Sequence, residues 1–209
     1  NPQLLSEPFL AVRAVSQTAG RGRFSRIWES QPGKDLTFSF IVHPVQSHAM
    51  ACAAAKTGIA ARRALNAITG IKPSLKWPND LLWQGKKLGG ILVEHDSVSG
   101  HSVLVIGVGI NLNSVNIDVV PPAVSVKEIT GKDFDPEALL KRIVDEYEPI
   151  ANEPLALQLI SEYNAACPDI GRTVTFSDGR SLSKGTISGI DSDGAIIIIP
   201  ENGPEVHCR

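Results

Sequence analysis

Apolar and polar positions alternate along DLTFSFIV (35–42), with Leu36, Phe38, Phe40 and Val42 on one side and Thr37, Ser39 and Ile41 on the other. A period of two predicts a β-strand, and this one is expected to be buried on both faces. PFLAVRAV (8–15) predicts a second strand, a neighbour of the first in one sheet. SHAMACAAAKTGIAARRALNAITG (47–70) predicts a helix, rich in alanine, with Ser47 as its cap and Gly70 as its stop. KPSLKW and DLLW predict two strand-like pieces separated by Pro78. KLGGILVEHD (87–96) and HSVLVIGVGINLN (101–113) predict a hairpin joined through SVSG. Its second strand is almost wholly apolar and is expected in mid-sheet.

DPEALLKRIVDEYEPI (135–150) returns to helical spacing. Asp135 is the cap, Pro136 takes the first helical position, and Leu139, Leu140, Ile143, Val144 and Tyr147 form one stripe. PLALQLISEYNAA (154–166) predicts a further helix. After Pro168 short β-runs are broken by SDG and DSDG turns, with no helix, which predicts a small antiparallel barrel or sheet. The expected class is α/β (α+β): a larger unit with a mixed sheet over residues 1–167, then a small β unit over 168–209.

Composition narrows the function. The 209 residues are 43% hydrophobic and 20% charged, as in an ordinary globular protein, and the net charge of −2 argues against a general nucleic-acid binder. Three cysteines, Cys52, Cys167 and Cys208, form no CxxC pair and no even framework, so a reducing, cytoplasmic setting is expected. No apolar run reaches about 18 residues and the start has no secretory pattern, so no membrane partner is expected. The first residue is not Met, and residues missing at the front are expected.

Three stretches carry candidate chemistry. QTAGRGRFSRIW (17–28) sets Arg21, Arg23 and Arg26 among glycines and ends on Trp28. Gly20 and Gly22 allow close backbone approach, arginine forks match phosphate or carboxylate, and the indole provides a flat apolar surface. A solvated turn and a nucleic-acid arm remain alternatives for it. LKWPNDLLWQGKKLGG (75–90) places Asn79 and Asp80 at a break, with Lys86 and Lys87 ahead of Gly89 and Gly90. There Asp80 could hold Mg2+ and a lysine could meet a phosphate, or the stretch is a turn and a solvated hairpin tip. VIGVGINLN (105–113) interrupts an apolar strand with Gly107 and Gly109, a mark of close approach or of a packing bulge. Asn111 and Asn113 follow, as amides that could read a polar ring edge.

Taken in order, AGRGRxxRxW, KWPND, KKLGGIL and GVGIN resemble the catalytic domain of the biotin–protein ligases, over most of Gln17–Asn113. The tail, with its GIDxxGA turn at 189–195, resembles the SH3-like C-terminal domain of that family. The resemblance implies a class II tRNA synthetase-like catalytic domain that activates biotin with ATP and Mg2+. It then transfers biotin from biotinyl-AMP to a lysine of a biotin carboxyl carrier protein. By position in the motifs, Gln17, Gly20 and Arg21 match residues around the biotin ureido group. Arg23 and Arg26 match arginines at the adenylate phosphate and biotin carboxylate. Trp28 matches the aromatic on the adenine side. Lys87 matches the lysine that meets both carboxylate and α-phosphate. Asn79 and Asp80 match residues beside the adenosine and the magnesium ion, and Asp80 is also a candidate helper for deprotonating the acceptor amine. Gly107 and Gly109 match glycines against the biotin tail, Gly90 of KKLGG joins the binding set, and Asn111 matches an asparagine that reads adenine.

Lipoate–protein ligases share the fold and the adenylate logic and stand as the alternative; a non-catalytic nucleic-acid-binding protein is the alternative of another class. The sequence departs from the family at Phe24, and at Ser25, where glycine is common. The family's Ser-Thr-Asn element is absent, with Asn1 its candidate last residue, and the final strand of the tail is not reached; the chain is expected to be incomplete at both ends. With no helix-turn-helix ahead of the first strand, a monofunctional ligase is expected. Monomers and homodimers both occur in the family.

Overall fold

The computed structural model describes residues 10–42, 49–98, 101–117, 119, 121–151, 154–177 and 181–208. Ser47, Asn1, Gly100 of the SVSG turn and Asp178–Gly179 of the SDG turn lie outside them.

Six strands, β1 (Leu10–Ala14), β2 (Leu36–Val42), β3 (Ser74–Lys76), β4 (Asp80–Trp83), β5 (Lys86–Val98) and β6 (His101–Ile110), form one sheet in the order β1-β2-β6-β5-β4-β3. The expected neighbours β1 and β2 pair, and the apolar β6 lies between β2 and β5. Each strand pairing is antiparallel. Any mixed character rests on one isolated parallel bridge, Lys87 with Ala123.

One face of the sheet is the core. Leu36, Phe38, Phe40 and Val42 of β2 and Ile106, Val108 and Ile110 of β6 are buried against α1 (Ala49–Thr69) and α3 (Pro136–Tyr147). Alanines 53–55, 60, 61 and 64 let α1 approach closely, and Gly70 ends it at φ 75°. Tyr147 meets Phe40 edge-on at 4.9 Å, and each fully buried large side chain of this set contributes about 2–3 kcal/mol. Asp135 caps α3 through the Glu137 amide, as the DPE signature predicts. Arg63 of α1 pairs with Glu162 of α4 (Leu157–Ala166) at 2.5 Å and lies 3.7 Å from Glu146 of α3.

The second face of β2 corrects the expectation of burial on both sides: Ser39 is exposed and Ile41 half-buried. Of the three residues on that face, Thr37 alone is buried. Small residues occupy it, in a cross-strand row of Ala14, Thr37, Gly109, Gly90 and Asp80. A short helix, α2 (Val126–Thr130), was not predicted. Five residues are too few for a periodic stripe, although Ser125 and Glu128 form a capping box and Gly131 closes the helix at φ 74°.

The C-terminal strands β7 (Thr173–Ser177), β8 (Leu182–Ile190), β9 (Ile196–Pro200) and β10 (Val206–Cys208) make an open antiparallel sheet, order β10-β9-β8-β7, around Ile187, Ile196 and Ile198. Among the described residues the barrel does not close. Its DSDG turn seats on the larger unit. Gly194 leaves no room for a Cβ against Ala51 and Cys52, its carbonyl accepts from Trp77 Nε1 at 3.1 Å, and Asn164 Oδ1 accepts the Ile190 amide at 3.1 Å.

Beside that turn, His207 Nδ1 lies 2.6 Å from Asp191 Oδ2 and Nε2 lies 3.2 Å from Glu205 Oε1. The hydrogen bond to Asp191, then that to Glu205, raises the imidazole pKa above its ordinary value. Burial pushes the Asp191 carboxyl up, but His207 and the amides of Ala195 and Asp193 outweigh it and hold it below its usual range. A raised histidine stabilises the fold fully below its unfolded pKa, about 6.5, and loses that contribution as pH rises through the folded value. The lowered carboxylate contributes above its unfolded pKa and loses it as pH falls through the folded one. Thermal melts are therefore expected to drop as pH rises above about 6.5 and through the raised folded pKa of His207. His207→Gln should flatten that limb; a variant with the wild-type slope would remove the pair from the account.

Candidate active site

The arginine loop folds into a small hairpin on the open face of the sheet. Trp28 N donates to Gly20 O at 3.0 Å, Arg21 bridges Ile27, and Gly22 N donates to Arg26 O at 2.7 Å. A side chain at Gly20 would overlap the Trp28 carbonyl, so the stem can close only on glycine. The tip, Arg23–Ser25, is a 3-10 turn in which Phe24 (φ 56°) and Ser25 (φ 59°) are both left-handed. This costs about 1 kcal/mol per residue, and glycine would adopt it freely. The place where the sequence departs from its resemblance is thus a strained tip. Its apolar members face solvent: Phe24 is 81% and Ile27 77% exposed.

Trp28 anchors the stem. Its ring occupies the space a Cβ at Gly109 would need and lies 3.4 Å from that of Gly90. Lys87 Nζ sits 5.7 Å from the ring centroid and 2.6 Å from Asp80 Oδ1. That ion pair lacks hydrogen-bonding angles, and Oδ1, buried, keeps its accepting capacity; Trp28 Nε1 is likewise buried with no acceptor among the described residues. Trp28, Gly90, Gly109, Lys87 and Asp80 therefore form one cluster: a flat indole, a backbone floor, one cation and one carboxylate, with an unused donor and acceptor.

The three arginines belong to the same hairpin that ends on Trp28. Arg21 pairs with Glu94 at 3.3 Å, an exposed contact worth little. Arg23 lies 5.0 Å over the Phe24 ring, and Arg23 and Arg26 are exposed with no ion pair among the described residues. Gln17 is exposed, its Oε1 beside Gly20. Gly107 lies one row further along the floor, next to Ser39 and Leu92.

Two expected ligand readers face the protein's own backbone. Asn79 Nδ2 donates to Ile91 O at 2.6 Å while its carbonyl accepts the Ile91 amide at 2.9 Å. Asn111 is buried, and its Nδ2 donates to Lys87 O and Val124 O, both at 3.3 Å. Asn113 clamps both polar groups of the Phe134 backbone. Sequence reading missed Asp35, a buried carboxylate just ahead of β2. Its Oδ1 accepts the Leu112 and Ser114 amides at 3.0 and 3.3 Å, and its Oδ2 accepts Gln31 N at 2.9 Å. It ties the segment after Trp28 to the segment after β6; its one sequence signal is an aspartate directly before an apolar strand.

Among the described residues no group of three or more His, Cys, Asp and Glu side chains could hold a metal ion. A cavity of about 440 Å³ is lined by Lys86, Asn116, Ile117, Ala123, Val124 and Glu128. None of the predicted site residues lines it, but Val124 N donates to Lys87 O at 2.9 Å, so it adjoins the cluster through the backbone.

Comparison with known proteins shows the family of the chain. Residues 4–111 match the biotin/lipoate A/B protein ligase family, and residues 169–207 match the biotin protein ligase C terminal domain. The biotin--[acetyl-CoA-carboxylase] ligase of Paracoccus denitrificans is 31% identical over 93% of this chain and 86% of its own. The bifunctional ligase/repressor BirA of Bacillus spizizenii is 29% identical over 92% of this chain, which spans 62% of that relative's length. Among solved structures, a biotin protein ligase from Aquifex aeolicus in complex with biotin and ATP superposes with a TM-score of 0.77 at 32% identity, over 94% of this chain and 84% of that one.

Proposed function

The chain belongs to the biotin/lipoate A/B protein ligase family, and from that premise we propose that it is a biotin–protein ligase: it joins biotin and ATP to form biotinyl-AMP and transfers biotin to a lysine of a carboxyl carrier protein. The observation that carries this reading is the Lys87–Asp80 pair under Trp28, on a floor of glycines. The Paracoccus relative is named for the acetyl-CoA-carboxylase acceptor, and the Aquifex structure holds biotin and ATP.

In the first step a carboxylate oxygen of biotin attacks the α-phosphorus and pyrophosphate leaves. Both partners are anions, and negative charge grows on the phosphate in the transition state. A cation fixed between them lowers the barrier, which is the task of Lys87. Arg23 and Arg26, exposed at the loop tip, add charge when the loop settles on the substrates, while Trp28 packs on the adenine side and Gly107 and Gly109 lie against the biotin tail, which holds the adenylate out of water. Magnesium, where bound, neutralises phosphate charge; one carboxylate plus phosphate oxygens and water is an ordinary Mg2+ set, and Asp80 is the carboxylate available. In the second step the acceptor amine attacks the acyl carbon and AMP departs. That amine must first lose a proton, for which Asp80 is the nearest base to Lys87. We assign residues 1–167 to this chemistry and 168–209 to the accessory β domain. Three free cysteines and the use of ATP fit a cytoplasmic setting.

The test is ATP–pyrophosphate exchange with the carboxylic acid varied. Exchange is expected with biotin and not with lipoate, followed by labelling of a purified carboxyl carrier domain in the presence of Mg2+. Exchange driven by lipoate alone would sink the proposal and favour the other branch of the family.

A further inference from the structure

Lys87 is held by a segment that is not part of the sheet. On one side Lys87 pairs with Leu82 of β4, next to the register slip between Leu81 and Leu82; on the other side the β5–β6 ladder ends at Gly89 with Ile110, so β6 offers Lys87 no partner. Residues 122–124 stand where β6 has ended: Lys87 N donates to Pro122 O and Val124 N donates to Lys87 O, each at 2.9 Å. Two buried side chains fix that segment. The Asn111 side chain directs one amide hydrogen to Lys87 O and the other to Val124 O, and the Asn111 backbone carbonyl accepts Val126 N at 3.0 Å. Ser125 Oγ donates to Ser114 O at 2.6 Å and accepts Glu128 N at 3.0 Å, and Glu128 Oε2 accepts Ser125 N at 2.9 Å.

We propose that Asn111 and Ser125 are positioning residues: they lock residues 122–126 into a clasp on the Lys87 backbone and so aim its ammonium group at the meeting point of carboxylate and α-phosphate. The inference rests on the role given to Lys87 above. A lysine side chain has four rotatable bonds, and a fixed backbone at its root is what limits where Nζ can go; a displacement of about 1 Å in such a group costs about a hundredfold in rate. Asn111 on this account faces backbone and not a base.

The full chain is compared with Asn111→Asp, which turns two donors into acceptors against carbonyls, and with Ser125→Ala. Hydrogen exchange by mass spectrometry reads peptides covering Lys87 and Val124 without ligands, and biotin-dependent pyrophosphate exchange reads kcat and the KM for ATP. Both variants are expected to speed amide exchange at the clasp and to lower kcat about ten- to a hundredfold with little change in KM. Ser125→Thr, which keeps the hydroxyl, should restore both. Because Ser125 is fully buried and threonine adds a methyl group there, the exposed Glu128 provides a second pair that does not change the buried site: Glu128→Ala should loosen the clasp and Glu128→Gln should hold it. Unchanged amide exchange overturns the clasp, and loosened amides with wild-type kcat overturn its positioning role. A raised KM for ATP with unchanged amides makes Asn111 a base reader instead. If the wild type shows no biotin-dependent exchange, the functional reading fails, and amide exchange still decides the clasp.

Discussion

Replacing Lys87 by alanine is expected to cut biotin-dependent pyrophosphate exchange about a thousandfold, or about 4 kcal/mol of transition-state stabilisation, with the loss falling on kcat. Among the described residues Lys87 is the one cation in contact with both Asp80 and the Trp28 ring, at 2.6 Å and 5.7 Å. No loop arginine can stand in for it: Arg21 pairs with Glu94, and Arg23 and Arg26 sit at a hairpin tip whose own backbone is strained. The fold should survive. Lys87 and Asp80 side chains keep 29% and 27% of their exposure, so the ion pair is partly screened and its loss costs about 1 kcal/mol or less. A melting curve near that of the wild type beside a silent exchange assay is the expected pair of results. Activity within tenfold of wild type would move the meeting point of the two anions away from Lys87.

What the sequence makes legible, and what it hides, has a physical reason. Motifs built on backbone geometry read well: Gly70 at a helix stop, Asp135–Pro136 at a helix start, and the alternation of Leu36–Val42 all report local constraints, and each appears where expected. The cross-strand meeting of Trp28 with Gly109, and of Lys87 with Asp80, depends on strand order and register, which spacing along the chain does not encode. For the same reason Asn79 and Asn111 passed as ligand readers: an amide in a glycine-rich stretch looks the same whether it faces a base or a carbonyl of its own chain. Asp35 was invisible because its three partners come from Gln31, Leu112 and Ser114, the last two more than seventy residues away. Burial on both faces of β2 failed for the opposite reason. The composition of the strand permits a covering layer, but what covers that face is a loop and a row of glycines.

The two glycines of GVGIN, alike in sequence, are expected to behave differently when each is changed to alanine. At Gly109 the new methyl would fall 2.6 Å from Cζ2 and 2.8 Å from Nε1 of Trp28. An indole cannot bend away, and its backbone is pinned to Gly20 by the stem hydrogen bond, so the ring and the loop base must lift together. At Gly107 the nearest atoms would lie at 3.7 Å, an ordinary contact. Neither residue has a positive φ, and alanine in place of glycine within a strand is itself favourable by about 0.5–1 kcal/mol, so both variants should fold. In the ligand-free protein, Trp28 fluorescence should shift to that of a solvated indole in Gly109→Ala and stay put in Gly107→Ala, with Trp77 and Trp83 replaced by Phe to isolate the signal. The unseated ring should raise the KM for ATP about a hundredfold in Gly109→Ala, since the aromatic surface on the adenine side and its packing are lost at once. Equal spectra for the two variants would mean that Trp28 does not rest on this floor, and the cluster around Lys87 would lose the wall that keeps water from the adenylate.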